Sequence, residues 1–567
     1  MSDENTGKMS ADEADERVSK RVLQARSRQQ QQDEFEAETK TPQTVNGNQR
    51  DTITDKHSHE AEQEQEPIDQ ATNSGENSEY HDDKVAQWEL TWESIQPHTV
   101  QKYLQSYQTH VHHMYPLITK AKLDASVDQV LKEAGIMDSD GRPTGLGQWE
   151  GSKPLAGAKF RPSLETALAF LVLAFGKLCE CRIPELQYAN QSLALGWHEP
   201  APSTAQQKRY LPGAEYYTEA SRMLSSFIES SEMGLVHAHI IASLYCEQLG
   251  HVTASVHHIR FAASALIVGT NSKKDAERIT TYWICHQIES HHLIQTNFWW
   301  SGLAESEDKF PCPDVGEAMH QLGVTPEAAC SLTANTHLSR WLHRNLTIHS
   351  RTEMESSIEK QISVIKSFED NVAQKRGLWL GPLNFEDHWP WSSDIVTART
   401  HAAFWEARIE VYRPFIKTYQ QLMKDLTSSR GQHGSPYLNP ESRRMFQTGV
   451  DTLLNSMTVF CGVQKMCLIS MSMASLARTQ SRNLLTLSAL CRDPRMGSSV
   501  NIDATVEQTI RFIHECLHKS TTFHRDKDII ASQAAAVDAL FLYHVRGILS
   551  GRSPEISEQD LLDALDV

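Results

Sequence analysis

The chain of 567 residues is long enough for two to four domains or one large helical array, and its 39% hydrophobic and 22% charged content is that of an ordinary water-exposed protein. Its formal net charge of −18 argues against a chain that binds nucleic acid as a whole by neutralising phosphates. The most apolar stretch, ALAFLVLAF at 167–175, is about half the length that spans a bilayer, so no membrane segment is expected.

Residues 1–87 are rich in Glu, Gln, Asp, Ser and Asn and nearly free of large apolar side chains. Such a segment cannot bury enough apolar surface to offset its ordering entropy, which predicts a disordered acidic arm. Up to Val85 there are 10 Lys/Arg against 21 Asp/Glu, so the arm supplies about −11 of the −18. SKRVLQARSR at 19–28 is a small basic island within it, readable as a nuclear-import or DNA-contacting arm but by default a solvated charge run. The opening residues MSDENTGKMSADEADER lack a basic start followed by an apolar stretch, so no secretory signal is expected. Ten cysteines without regular spacing fit reduced thiols in an intracellular compartment.

From Trp88 the apolar residues recur at three- and four-residue intervals, beginning with TWESIQPHTVQKYLQSYQTHVHHMYPLI. A loop is expected at about 137–162, where Gly145-Leu146-Gly147 lacks the third glycine and following lysine of a phosphate loop. Helical segments then follow closely. SLETALAFLVLAFGKLCE opens on Ser163 as a candidate N-cap, and LPGAEYYTEASRML places Pro212 near a first turn. GLVHAHIIASLYCEQLG and VTASVHHIRFAASALIVG stop on Gly250 and Gly269. ERITTYWICHQIESHHLIQTNFW follows at 277–299, then runs at about 331–368, 395–423, 442–490, 504–522 and 528–549. No alternating β pattern is evident. The expected class is all-α, a body of paired helices over 88–549.

The segment 277–299 carries the densest functional chemistry. At about 100° per residue, Ile279, Tyr282, Trp283, Leu293 and Ile294 share one face with His286, and Ile284 and Ile288 form a second stripe, so the helix is expected to be buried on two sides. His286 and His291 lie too far apart around the axis to share a metal. Cys285, Glu289 and His292, at i, i+4 and i+7, fall within about 60° of one another and would serve zinc if another helix added a ligand. The same spacing arises by chance in long helices, and no HExxH accompanies it, so core or hydrogen-bonded side chains are the simpler reading. His110, His112 and His113, and His237 with His239, are at spacings that point side chains apart. Cys179 with Cys181, and Cys461 with Cys467, lack the paired C-x2-C of a zinc site. No GxSxG elbow appears, and no aspartate-rich terpene-synthase motif lies in a helical segment, so no catalytic residues are assigned.

The last residues, SPEISEQDLLDALDV, interleave Ile556, Leu561, Leu562 and Leu565 with five acidic residues. Acidic–hydrophobic alternation of this kind folds onto partner grooves, as activation segments do; an amphipathic helix docked on the body is the plainer alternative.

The order of these segments resembles the middle homology (regulatory) domain of the fungal Zn2Cys6 transcription factors, the fungal-specific transcription factor domain. The residues carrying the resemblance are VQKYLQSYQTHVHHMYPLI with its Tyr115-Pro116-Leu117 step, TALAFLVLAFGKLCE, PGAEYYTEASRML, HIIASLYCEQLGHVTASVHHIRFAASALI, and RITTYWICHQIESHHL leading to FPCP. ARTHAAFWEARIEVYRPFI, NLLTLSALCRDP and TIRFIHECLHKSTTFHRDKDII extend it to about Leu549. The resemblance implies a nuclear regulator of transcription, with control of a biosynthetic gene cluster as the family suggests. It also implies an N-terminal six-cysteine cluster holding two zinc ions, yet the first cysteine here is Cys179. No cofactor is therefore expected in this chain. DNA is expected to be reached indirectly, through a DNA-binding partner or a missing N-terminal module, with the transcriptional machinery as the other partner. A helical interaction scaffold without DNA binding and an all-α enzyme are the alternative readings.

Overall fold

Several helices begin where the sequence supplies a side chain that can accept from their unpaired first-turn N–H groups. In the computed structural model, Thr119 Oγ1 accepts from Lys122 N at 3.3 Å, Ser163 Oγ from Thr166 N at 3.0 Å, and Asp314 Oδ1 from Glu317 N at 2.8 Å. Asp394 Oδ2 and Asn439 Oδ1 do the same for Thr397 N and Glu441 N. The structure describes residues 90–137, 160–194, 211–227, 230–268, 276–296, 301–351, 357–379, 392–428, 439–459 and part of 479–490. The acidic arm, its basic island, Gly145-Leu146-Gly147, Gly269, Cys461, Cys467, the runs at 504–522 and 528–549, and the tail with Ile556, Leu561, Leu562 and Leu565 lie outside the described residues.

Among the described residues there are twelve α-helices and no sheet, which is the all-α class expected. In chain order they are α1 (Pro97–Tyr107), α2 (Lys120–Glu133), α3 (Leu164–Ala194), α4 (Ala214–Leu224), α5 (Met233–Gln248) and α6 (Val252–Val268). They continue as α7 (Ala276–Thr296), α8 (Val315–Leu322), α9 (Pro326–Arg351), α10 (Ile358–Trp379), α11 (Ile395–Ser428) and α12 (Pro440–Thr458). Among the described residues no helix is long and apolar enough to cross a membrane.

Several boundaries differ from the sequence pattern, among them the helix opening at Ser163, which runs on to Ala194. The run at 331–368 contains two helices, α9 ending at Arg351 and α10 starting at Ile358, where neither glycine nor proline marks the boundary. The helix containing EYYTEASRML starts after Gly213, one residue beyond Pro212, because Gly213 adopts φ +82° and an added Cβ there would sit 2.4 Å from Ala174 O. The run expected at 442–490 contains α12, which ends at Thr458.

Each helix packs on its successors: α1, α4 and α5 lie on α3, α5 on α6, α6 on α7, α7 on α9, α9 on α11, and α11 on α10 and α12. The ALAFLVLAF stretch of α3 is apolar all round because it is enclosed all round, with Phe170, Leu171, Val172, Leu173 and Ala174 fully buried. It centres a first apolar core that extends through α7 to Leu332, while α9–α12 enclose a second. Tyr115, in the Tyr-Pro-Leu step after α1, packs against both.

Two features of this packing yield measurable expectations. Gly176 of α3 lets α1 approach so closely that a Cβ would lie 2.0 Å from Tyr103 O. Gly176→Ala is expected to cost roughly 3 kcal/mol by forcing backbone apart. Gly234→Ala, whose Cβ would meet only the Leu164 side chain at 3.4 Å, is expected to be neutral or slightly stabilising; urea unfolding of both variants checks this.

Six histidines, His112, His237, His239, His258, His343 and His401, are held neutral by burial, with pKa values pulled down to about 3 or 4. The unfolded chain binds more protons than the folded one between those values and about 6.5, so the stability they contribute is complete above that pH and lost on acidification. Thermal midpoints recorded from pH 7 to 4.5 are expected to fall monotonically, by more than about 5 °C.

Candidate functional site

Helix α7 lies between the two cores, and its polar side chains reach out to different neighbours. His286, fully buried, places Nε2 3.1 Å from Glu307 Oε1 and Nδ1 3.3 Å from Ser339 Oγ of α9. The other oxygen of Glu307 accepts from Arg340 Nε at 3.0 Å, and the Arg340 guanidinium lies over the Trp283 ring. Burial alone would raise the Glu307 carboxyl, but the hydrogen bonds and charges of His286 and Arg340 hold it below its usual range. Tyr282 stacks on Phe310 and donates to Leu303 O at 2.7 Å; Trp283 Nε1 donates to Pro311 O at 2.7 Å. The segment FPCP is thereby fastened to the helix that precedes it.

The weak metal candidates are also accounted for. Cys285 Sγ lies 3.9 Å from Ile259 O of α6. Glu289 Oε1 accepts from Ser301 N at 2.8 Å, and His292 Nε2 lies 3.0 Å from Ser255 Oγ, which contacts Ser243 Oγ at 2.8 Å. Cys285 and His292 do share the face toward α6, as helical spacing predicts, but each already engages a polar atom there. Burial, with the nearby Glu289 charge, pushes the Cys285 thiol well above its ordinary range, which disfavours the thiolate a metal requires. Among the described residues no group of three or more His, Cys, Asp or Glu side chains could hold a metal ion. Of the other histidines singled out, His237 is buried against Thr281 Oγ1 at 2.9 Å and His239 Nδ1 meets His258 Nδ1 at 3.0 Å.

What the sequence did not single out is a cavity of about 160 Å³ at the seam of the two cores. Its walls come from α5 (Leu244, Glu247, Gln248), α7 (Gln287, Ile288, Ser290, His291), α9 (Asn335, Leu338, Ser339, Leu342) and α11 (Arg399, Ala402, Ala403, Glu406). Met114, Tyr115, Ser456, Thr479, Gln480 and Asn483 complete it. On α11 the spacing i, i+3, i+4, i+7 sets Arg399 and Glu406 at the ends of one face with two alanines between them. Those small side chains leave the space. A pattern of this kind, charge, two small residues, charge on one helical face, is the signal by which the site could have been found.

The cavity is charged on several sides. His291 Nδ1 lies 3.5 Å from Glu406 Oε2, and 35% of the His291 side chain remains accessible. Burial would lower the His291 pKa, but the charge and hydrogen bond of Glu406, helped by Glu247, leave it raised. Glu406 shows the reciprocal effect: burial raises it, while His291 and then Arg482 bring it below the ordinary carboxylate range. The two directions agree on a charged pair. Arg399 Nη1 donates to Met114 O at 3.0 Å, and its guanidinium stacks 4.1 Å from the Tyr115 ring centroid. No carboxylate among the described residues forms an ion pair with Arg399.

Comparison of the chain with family models, with curated proteins and with solved structures gives no match.

The His291–Glu406 pair has a defined pH signature. A raised histidine contributes stability that is present below about 6.5 and lost as pH rises through its folded value; a depressed carboxylate contributes stability present above about 4.5 and lost as pH falls. Glu406→Gln is therefore expected to destabilise most between about pH 5 and 6.5, with the difference from wild type shrinking above that window. Thermal midpoints of the two proteins across pH 5–8.5 test this, and a pH-independent difference would show that His291 is not charged.

Proposed function

We propose that this chain is a transcriptional regulator acting in the nucleus, with its helical body serving as a regulatory and interaction domain and DNA reached through a partner. The reading starts from the order of helical segments that resembles the regulatory domain of the Zn2Cys6 factors. The observation that carries it is the seam: two apolar cores, bridged by Tyr115, meet across a cavity whose apolar lining is interrupted by charged and amide side chains. A joint of that kind is suited to two alternative packings separated by a small free-energy gap, because its contacts are directional and individually modest. A small molecule preferring one packing would shift the population toward it. The acidic, leucine-bearing residues 550–567 are the natural output of such a device, exposed in one state and restrained in the other.

The test is a fusion of the full chain, and separately of residues 550–567, to a heterologous DNA-binding domain with a reporter promoter. The tail alone is expected to activate, and the full chain to activate less unless an effector is supplied. Silence of both fusions, with the proteins present in the nucleus, would remove the regulatory reading and leave the interaction scaffold.

A further inference from the structure

Cys312 sits in the FPCP segment between two prolines whose carbonyls are both tied down. Pro311 O accepts from Trp283 Nε1 at 2.7 Å, and Pro313 O accepts from Thr333 Oγ1 of α9 at 3.2 Å. The backbone on either side is therefore held, and the cysteine between is half-buried. Thr333, His337 and Arg340 follow at i, i+4 and i+7, which sets them on one face of α9. That face runs along the segment: Arg340 Nη1 donates to Cys312 Sγ at 3.5 Å, and His337 Nδ1 lies 4.0 Å from the same sulfur.

Other thiols meet different surroundings. Burial pushes the Cys246 thiol up to about 12 and the Cys285 thiol well above its ordinary range, and Cys330 is raised by burial and by the charge of Glu327. At Cys312 the neighbours are a guanidinium and an imidazole, and part of the residue reaches solvent. Cationic donors beside a sulfur favour the thiolate, which is the nucleophile, and a cysteine both so placed and accessible is the reactive kind. Arg340 keeps its charge here: burial would lower its pKa, but Glu307 and then Cys312 leave it raised. The two acceptors do not compete for one N–H, since Glu307 takes Arg340 through Nε while Nη1 serves the sulfur.

We propose that Cys312 is a modification site that exchanges with a low-molecular-weight disulfide to give a mixed disulfide. The thiol first loses its proton to solvent, and Arg340 and His337 hold the resulting thiolate. The thiolate then attacks one sulfur of the disulfide: a new S–S bond to Cys312 forms and the original S–S bond breaks. Its electron pair leaves on the second sulfur as a free thiolate. The protein sulfur is oxidised and the departing half is reduced, so no further oxidant is needed. Nor must a proton be delivered to the leaving group, because a thiolate is stable in water. That suits a site built of one thiol and two nitrogen groups directed at it. A peroxide would ask more, since the departing hydroxide must be protonated as the O–O bond breaks.

The experiment exposes the full chain at pH 7 to excess oxidised glutathione and quenches it at intervals with N-ethylmaleimide. Cleavage before Asp308 and Asp314 isolates residues 308–313, whose one cysteine is Cys312, and the mass of that peptide gives the fraction carrying glutathione. Native Cys312 is expected to react about tenfold faster than the same residue in the urea-unfolded chain, although half-burial by itself would slow it. Arg340→Gln and His337→Gln are each expected to slow the native reaction at least about threefold. Because Arg340 also holds Glu307, its loss can disturb folding; His337→Gln leaves the Arg340–Glu307–His286 contacts in place and decides alone if Arg340→Gln unfolds. A native rate equal to or below that of the unfolded chain overturns the proposal, as does an unchanged rate in the folded variants.

Discussion

The architecture turns on a single demand: α7 is buried on nearly every side and yet carries His286, Glu289, Ser290, His291 and His292. A buried polar group without a partner costs of the order of 1–3 kcal/mol; Ser290 donates to His286 O within the helix, and the other four are met by groups from other elements. The partners do not come from one place. His286 takes Glu307 and Ser339, Glu289 takes the Ser301 amide, His292 takes Ser255, and His291 takes Glu406. Satisfying α7 therefore fixes, at once, the 301–310 segment, α6, α9 and α11. Apolar packing alone would allow these elements to slide; directional bonds at 2.8–3.5 Å do not.

The same demand accompanies the division of the described residues' main apolar packing into two large clusters. Between α7 and α9 to α11 the apolar contacts are interspersed with ion pairs, amides and hydroxyls, whose geometry does not interdigitate as aliphatic side chains do. A buried ion pair adds little net stability, because desolvation offsets most of the attraction, but breaking one partner leaves an expensive orphan. The seam thus specifies an arrangement more than it strengthens it. The cavity follows from the same arrangement: Ala402 and Ala403 are too small to reach across a gap whose rims are held apart by Arg399 on Tyr115 and by Glu406 on His291.

How much of this was legible in the sequence differs from element to element, for physical reasons. Helix starts at Ser163 and the stop at Gly250 were readable because capping is local chemistry written within four residues. The enclosure of ALAFLVLAF was readable because an all-round apolar helix has only one environment. The end of α9 at Arg351 and the start of α10 at Ile358 were not, since RTEMESS contains no glycine or proline to mark them. Spacing set Cys285, Glu289 and His292 within one sector of the helix, but spacing is silent on what lies opposite, and here the Ile259 carbonyl, the Ser301 amide and Ser255 engage them. The cavity was the least legible feature. Its members run from Met114 to Asn483, and the bond that ties its rim together joins residues 285 apart in sequence.

That long tie bears on how the seam could transmit a signal in the regulatory reading. Met114 and Tyr115 belong to the first described turns of the chain, Arg399 to α11, and the second core contains Met114 although its neighbours in sequence lie in the first. A change in what Arg399 binds is therefore felt by both cores through one short segment. Occupancy alone moves nothing; a ligand shifts the balance only by the difference in its affinity for the two packings. In an apolar seam that difference would be small, since aliphatic contacts tolerate displacement. In a seam built on one guanidinium, a displacement of an ångström separates a charge-assisted hydrogen bond from a desolvated charge, so the polar joint, weaker as a source of stability, is the stronger discriminator between states.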